Sequence, residues 1–432
     1  MKKLCALIPA FFSAALFAQD FYPAGELKIS AGAGAPETHD NAGKILNAAT
    51  SLNGNLKIHG EETSAYIDGS LIYDGINARS SSGRFDFVSG DSSIELMLKE
   101  AWMDYDAGLF AIRIGRQITA WGKADGLEVT DILCPKDERT LSASNYSESR
   151  LGIDAARLSV KSDSLTADLY WIPLFTPSAL PLADGNPLKA LVIPQSISYG
   201  SYTLPVNEIT SDNFDLPETA LYNSEAAIRL SSYQSFGDFS LYAFYGFDRE
   251  PVMNYSLKTD DSGKPESITL TGSYKRMTMF GADAAIPVKE LVLRMEAAFF
   301  LDRYFTSDIK KNQIKALAGF DWMPSACTIT AQYYIDALLN NNDQVERDDI
   351  QQQASLNLSK SFLQETLDLS FTGLLDLKDF ASMLSLQASY SLSDSMTLSA
   401  ESSFFIPGPD EDGLYGNYED LSCLSLKASY SF

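Results

Sequence analysis

Histidine is nearly missing from this sequence, with only His39 and His59 among 432 residues. Chemistry that works through an imidazole base has almost nothing to draw on, and a histidine-built metal centre is excluded. Cysteine is as scarce. Beyond Cys5 in the amino-terminal apolar run, Cys134, Cys327 and Cys423 are an odd set, far apart and without a CxxC pair. They form neither a disulfide framework nor a zinc-binding pattern. Long hydrophobic runs are also lacking: after residue 17 no stretch approaches about 18 consecutive apolar residues, so no transmembrane helix is encoded. Basic residues are outnumbered, 33 against 57 acidic ones, and the net charge of −24 argues against nucleic acid or an anionic lipid surface as partner.

What is present starts with Lys2 and Lys3, followed by an apolar run over residues 4–17. The run is too short to cross a bilayer and sits where a secretory signal peptide sits. Residues 1–18 are expected to be that peptide, with cleavage after Ala18 or, alternatively, after Ala15. Residues 19–432 are then exported. The mean hydropathy of the whole chain, −0.09, is low for a membrane protein of helices. It suits a barrel, in which half of every strand faces water.

Alternation of apolar and polar residues runs through the whole mature chain. Leu291, Leu293, Met295, Ala297, Phe299 and Leu301 share one side of an extended chain; Leu367, Leu369, Phe371, Gly373 and Leu375 do the same. The final stretch places Leu424, Leu426, Ala428, Tyr430 and Phe432 on one face and Ser425, Lys427, Ser429 and Ser431 on the other. Period two over about ten residues is a strand with one greasy and one wet face. Ending on such a strand with Phe432 resembles the closing strand of bacterial outer-membrane barrels, whose terminal aromatic is read by the barrel-insertion machinery. Tight turns at 60–62, 106–108, 161–164, 234–237, 287–289, 323–326, 362–365 and 393–395 alternate with longer connections at 118–149, 173–221, 248–271, 304–309, 337–348, 376–381 and 406–419. Short turns on one side and long loops on the other predict an all-β fold, a single transmembrane antiparallel β-barrel of about 18 strands, with 16 the alternative count.

Opposite the greasy stripes lie charges of both signs, among them Arg113, Arg229, Arg294, Glu296, Glu401 and Lys427, which predict a water-filled lumen. Two segments break phase, near Lys99–Glu100 and between Leu151 and Ala156. A β-bulge at each place would keep Glu100, Asp154 and Arg157 out of lipid.

Both breaks flank one long connection. Its residues Gly115, Arg116, Gln117, Trp121, Gly122, Asp131, Pro135 and Asp137, preceded by Glu100-Ala101-Trp102-Met103-Asp104-Tyr105, resemble a family of uncharacterised outer-membrane β-barrel proteins related to porins and alginate-export barrels. Cys134 departs from the Asn usual in that family, so the turn there lacks an Asx hydrogen bond. General porins fold a segment inward after their fifth strand, and the resemblance implies the same for residues 118–149. Lys123, Asp125, Glu128, Asp131, Lys136, Asp137, Glu138 and Arg139 would then line a constriction, with Trp121 anchoring it. Arg113, Arg116, Asp154, Arg157, Arg229, Arg294 and Glu296 would line the surrounding wall. The alternative is an ordinary external loop.

A porin-like channel for small polar solutes or ions is the expected function, with weak cation preference from the acids of the loop. An uptake barrel for hydrophobic compounds or a surface adhesin using the long external loops are the alternatives. An enzyme is not expected, since His39 beside Asp40 is the one candidate base and has no recognisable partner motif. No cofactor or metal site is indicated. The expected partners are outer-membrane lipid, a small solute or ion, the insertion machinery and, in an oligomer, a second copy of the chain.

Overall fold

A computed structural model describes residues 20–432 except 37, 39–40, 77–92, 141–147, 184–185, 208, 210, 325–326, 343–344, 346 and 410–412. The expected signal peptide and His39 therefore lie outside the described residues. Eighteen strands form one antiparallel sheet, in the order β1 Asp20–Gly34, β2 Ile45–His59, β3 Thr63–Asp74, β4 Ile94–Asp106, β5 Phe110–Gln117, β6 Ile153–Lys161, β7 Leu165–Leu174, β8 Glu225–Gln234 and β9 Gly237–Phe247, then β10 Arg276–Val288, β11 Leu291–Tyr304, β12 Lys310–Trp322, β13 Cys327–Leu339, β14 Ile350–Phe362, β15 Leu367–Asp376, β16 Ser382–Ser393, β17 Met396–Ile406 and β18 Cys423–Ser431. Each strand pairs with its sequence neighbour, and β1 pairs with β18 from Glu26↔Ser431 to Gly34↔Cys423, so the sheet closes on itself. Closure leaves no edge and satisfies every ladder, the condition for a sheet that crosses a bilayer.

The stripes fall on the outside. Leu293 and Leu369 are each 39% exposed, while Glu296, on the strand of Leu293, is buried and faces inward. The end of the chain is pinned on β1: Gly25 N donates to Phe432 O at 2.8 Å, and Phe432 N donates back to Gly25 O at 2.9 Å. The Phe432 ring sits against Gly25, where an added Cβ would come within 2.5 Å of it. Glycine there makes room for the terminal aromatic.

The first phase break is a bulge on β4. Asp68 pairs with Glu100 and Gly69 with Leu98, leaving Lys99 as the extra residue. The second is not a bulge in β6, which pairs with β5 in unbroken register. Ile153 and Ala155 are apolar yet face inward, because the barrel interior is itself apolar at that height. The register shift lies on the partner strand, where Asp154 pairs with Leu174 but Ala156 with Trp171.

External connections carry structure of their own. Ser196–Tyr199 pairs with Tyr202–Pro205, and the hairpin of Val252–Thr259 with Pro265–Ser273 adds Phe214–Asp215 as a parallel third strand. Phe175, Leu182, Phe214, Phe247, Leu270 and Tyr274 bury one another beneath them. The connections after β7 and β9 thus pack into a single body above the barrel. Among the described residues no helix is long and apolar enough to cross a membrane.

Candidate functional site

The connection after β5 turns into the barrel. Trp121, Leu127, Val129, Ile132 and Leu133 are all buried, packed against inward side chains of β6 to β13 that include Tyr170, Tyr242, Phe244, Met279 and Phe300. Trp121 lies between two tyrosines, 4.8 Å from the ring centre of Tyr242 and 6.1 Å from that of Tyr170. Burying five such side chains contributes on the order of 10 kcal/mol toward holding the segment inside.

Polar contacts set its register. The Glu296 carboxylate on β11 accepts from Lys123 N at 2.6 Å, Ala124 N at 2.8 Å, Thr130 N at 2.7 Å and the Thr130 hydroxyl at 2.7 Å. Backbone N–H groups converging on a buried carboxylate are strong, charge-assisted hydrogen bonds. Gly122 allows this approach: its φ is +83°, and a Cβ there would lie 2.4 Å from the Glu296 carboxylate. Gly122 N donates to the Tyr242 hydroxyl at 3.1 Å, and Asp125 exchanges two hydrogen bonds with the Gln332 amide, at 3.0 and 2.7 Å.

Most charges of the segment are taken up in pairs. Glu128 is gripped by Lys136 and lies 3.6 Å from Lys315 on β12. Burial pushes its carboxyl up, but the two ammonium groups prevail and hold it at about 2. Asp131 accepts from Trp121 N and pairs with Arg150 at 2.6 Å. Arg139, almost fully buried, reaches Glu95 on β4 at 3.0 Å and Asp137 at 2.8 Å. Burial, and next the neighbouring Glu250 carboxylate, push the Glu138 carboxyl up to about 9. Burial also drives the Cys134 thiol up to about 12 while it accepts from Thr119 N at 3.2 Å, so the residue standing in place of Asn is an inert packing group.

The wall residues divide into two groups. Arg113, Arg157, Arg229 and Arg294 face inward and follow one belt below the segment. Arg113 pairs with Asp104 at 2.9 Å and lies 3.7 Å over the Trp102 ring; Arg157 is 3.8 Å from the same Asp104, and Arg294 pairs with Asp321 and donates to Lys123 O at 3.0 Å. Arg116 and Asp154, expected to line the pore, are packed against each other. They pair with each other at 3.4 Å, Arg116 Nε donating to Leu98 O at the bulge of β4. Glu296, also expected as pore lining, is instead consumed as the anchor of the segment.

Sequence reasoning missed three features. Arg249 ties the external body to the inner segment: it pairs with Glu225 at 3.0 Å, donates to Leu133 O at 2.9 Å and lies 5.3 Å over Phe175. Its place after β9 carries no motif. Lys28 and Lys99 were also passed over, and with Asp137, Glu148, Glu401 and Lys427 they line a cavity of about 380 Å³ between the inner segment and the wall of β1, β2, β17 and β18. Lys28 spans that gap, 3.1 Å from Glu26 and 3.7 Å from Glu148. Lys28 follows Leu27 in simple alternation and was legible; Lys99 is the bulge residue, whose side no alternation specifies.

Comparison with known proteins places this architecture. The family model described as a protein of unknown function (DUF1302) matches residues 37–425. No curated protein matches the chain. Among solved structures, Pseudomonas aeruginosa OccK2 (OpdF) in complex with glucuronate is similar at TM-score 0.53 and 9% identity, over 96% of this chain and 99% of that one. Acinetobacter baumannii OccAB3 is similar at TM-score 0.52 and 10% identity, again over 96% and 99%. Pseudomonas aeruginosa OccK3 (OpdO) is similar at TM-score 0.53 and 10% identity, over 98% of each chain. The fold is that of outer-membrane channels.

Proposed function

We propose, for a chain that belongs to the DUF1302 family of proteins of unknown function, that it is an outer-membrane channel through which small polar solutes or ions diffuse. The residues after β5 are its constriction. One observation carries this reading: the inner segment is fastened to one side of a closed barrel by the Glu296 carboxylate, while a cavity of about 380 Å³ lined by Lys28, Lys99, Glu401 and Lys427 stays open on the other side. A wet wall carrying both signs of charge admits polar solutes and disfavours apolar ones. Because Glu128, Asp131 and Asp137 are each paired with cations, the sign of selectivity falls to the wall lysines and Glu401 rather than to the loop acids. Insertion uses β18 and Phe432, whose apolar face meets lipid.

Single-channel conductance in planar bilayers tests both halves. The parent protein should conduct, and deleting residues 123–138 should raise conductance. A heat-modifiable, folded barrel that passes no current refutes the channel. A deletion that conducts like the parent refutes the constriction alone.

A further inference from the structure

The inner wall below the constriction carries a belt in which aspartates and arginines accompany one another from strand to strand: Asp104 on β4, Arg113 on β5, Arg157 on β6, Asp168 on β7, Arg229 on β8, Asp283 on β10, and Arg294 and Asp321 on β11 and β12. Three of the arginines have carboxylates. Arg113 and Arg157 share Asp104, and Arg294 holds Asp321. Arg229 is different: among the described residues it makes no hydrogen bond or contact ion pair, its guanidinium stands 5.7 Å from the Tyr242 ring centre, and it feels only at longer range the Asp283 carboxylate that the Tyr242 hydroxyl holds. Directly across the ladder from it is Asp168. Residues opposed in this way have Cβ atoms about 5 Å apart, within pairing range, yet the two do not join. The Ser159 hydroxyl donates to Asp168 Oδ1 at 2.5 Å and leaves the second carboxylate oxygen without a partner among the described residues. Both residues face inward, since Asp168 alternates with Leu169 and Trp171 and Arg229 with Leu230, all of which point to the outside.

We propose that Arg229 and Asp168 form a subsite for small dipolar solutes, molecules that carry one cationic and one anionic group, such as free amino acids. The inference rests on the channel reading above. Four arginines and four aspartates give the belt no net charge, so a simple ion of either sign meets cancelling attraction and repulsion. A solute with both charges satisfies the free guanidinium and the free carboxylate oxygen together. Elsewhere on the wall Gln353, Ser355 and Asn357 on β14 are neutral, and Glu401 on β17 and Lys427 on β18 again offer one charge of each sign.

The test is uptake of labelled solutes into proteoliposomes at pH 7, with alanine as the dipolar probe, propionate and propylammonium as its single-charge counterparts, and arabinose as the neutral reference. In the parent, alanine should enter faster than either ion. Arg229→Gln and Asp168→Asn should each lower alanine uptake about fivefold, the loss of one charge-assisted contact in a wet lumen, and leave arabinose unchanged. The two should move propionate and propylammonium in opposite directions, and Arg229→Lys should retain alanine uptake. Heat-modifiable migration of each variant establishes that the barrel is intact. Propionate or propylammonium entering fastest in the parent overturns the subsite, as does an alanine-to-arabinose ratio unmoved by both substitutions. If arabinose does not enter the parent, the channel reading falls, and the subsite with it.

Discussion

Replacing Glu296 with alanine removes the acceptor for four hydrogen bonds at once: the backbone N–H groups of Lys123, Ala124 and Thr130, and the Thr130 hydroxyl. Hydrogen bonds to a charged group contribute about 1.5–3 kcal/mol each. Against that sum stands the desolvation of a carboxylate that is almost fully buried, which its removal gives back. A net loss on the order of 3–6 kcal/mol in the attachment of residues 122–130 is the result. The apolar contacts of Trp121, Ile132 and Leu133 are untouched, and at about 2 kcal/mol each they match the upper end of that net loss. The segment therefore stays in the barrel while its tip comes loose. Glu296→Ala should show the parent's gel migration and melting of the barrel, but single-channel records with frequent brief steps above the parent's conductance. Glu296→Gln keeps one acceptor oxygen and should fall between. Records that match the parent in conductance and noise would refute the anchoring role. Loss of the folded barrel would show instead that Glu296 stabilises the strands themselves.

Arginine at Leu293 or Leu369, both on the outer face, should cost about 2–4 kcal/mol near the midplane, and arginine at the inward Asp368 much less; denaturant unfolding in detergent checks this, and equal costs would place the register wrongly. The Glu138 carboxyl is pushed up to about 9, so its protonated form is favoured in the folded protein. The stabilisation it contributes is complete below pH 4.5, the ordinary value, and is lost as pH rises toward 9. Current noise should accordingly grow between those limits, and Glu138→Gln should flatten the trend. Deleting Phe432 removes both hydrogen bonds to Gly25 and the ring that covers it, and should slow insertion into liposomes more than deleting a residue of an external loop.

Architecture was legible because a barrel strand is a local pattern. Each outward residue must meet lipid and each inward one water or protein, so the period of two that places Leu293, Leu369 and Leu426 outside is written position by position. Short turns and long connections follow from the same pattern, and so does the count of 18 strands. The bulge at Lys99 was legible for the same reason, since an extra residue shifts every later side chain to the other face. The second phase break was misread by the same logic. Ile153 is apolar and faces inward because another part of the chain, Trp121 to Leu133, packs against it there.

That last contact marks the boundary between what the chain encodes locally and what only its folding decides. Periodicity and charge balance determined the class of fold and the wetness of its interior, since each depends on a residue and its near neighbours. Which inward charge is free and which is spent depends on partners far along the chain. Glu296 meets Lys123 and Thr130, Arg139 meets Glu95, and Arg249 meets Leu133 only once the barrel has closed around the segment after β5. The sequence marks Arg229 and Arg294 alike as inward arginines. Closure pairs one with Asp321 and leaves the other without a contact ion pair between Asp168 and Asp283, because a carboxylate's reach is a few ångströms and only the tertiary structure decides what lies within it.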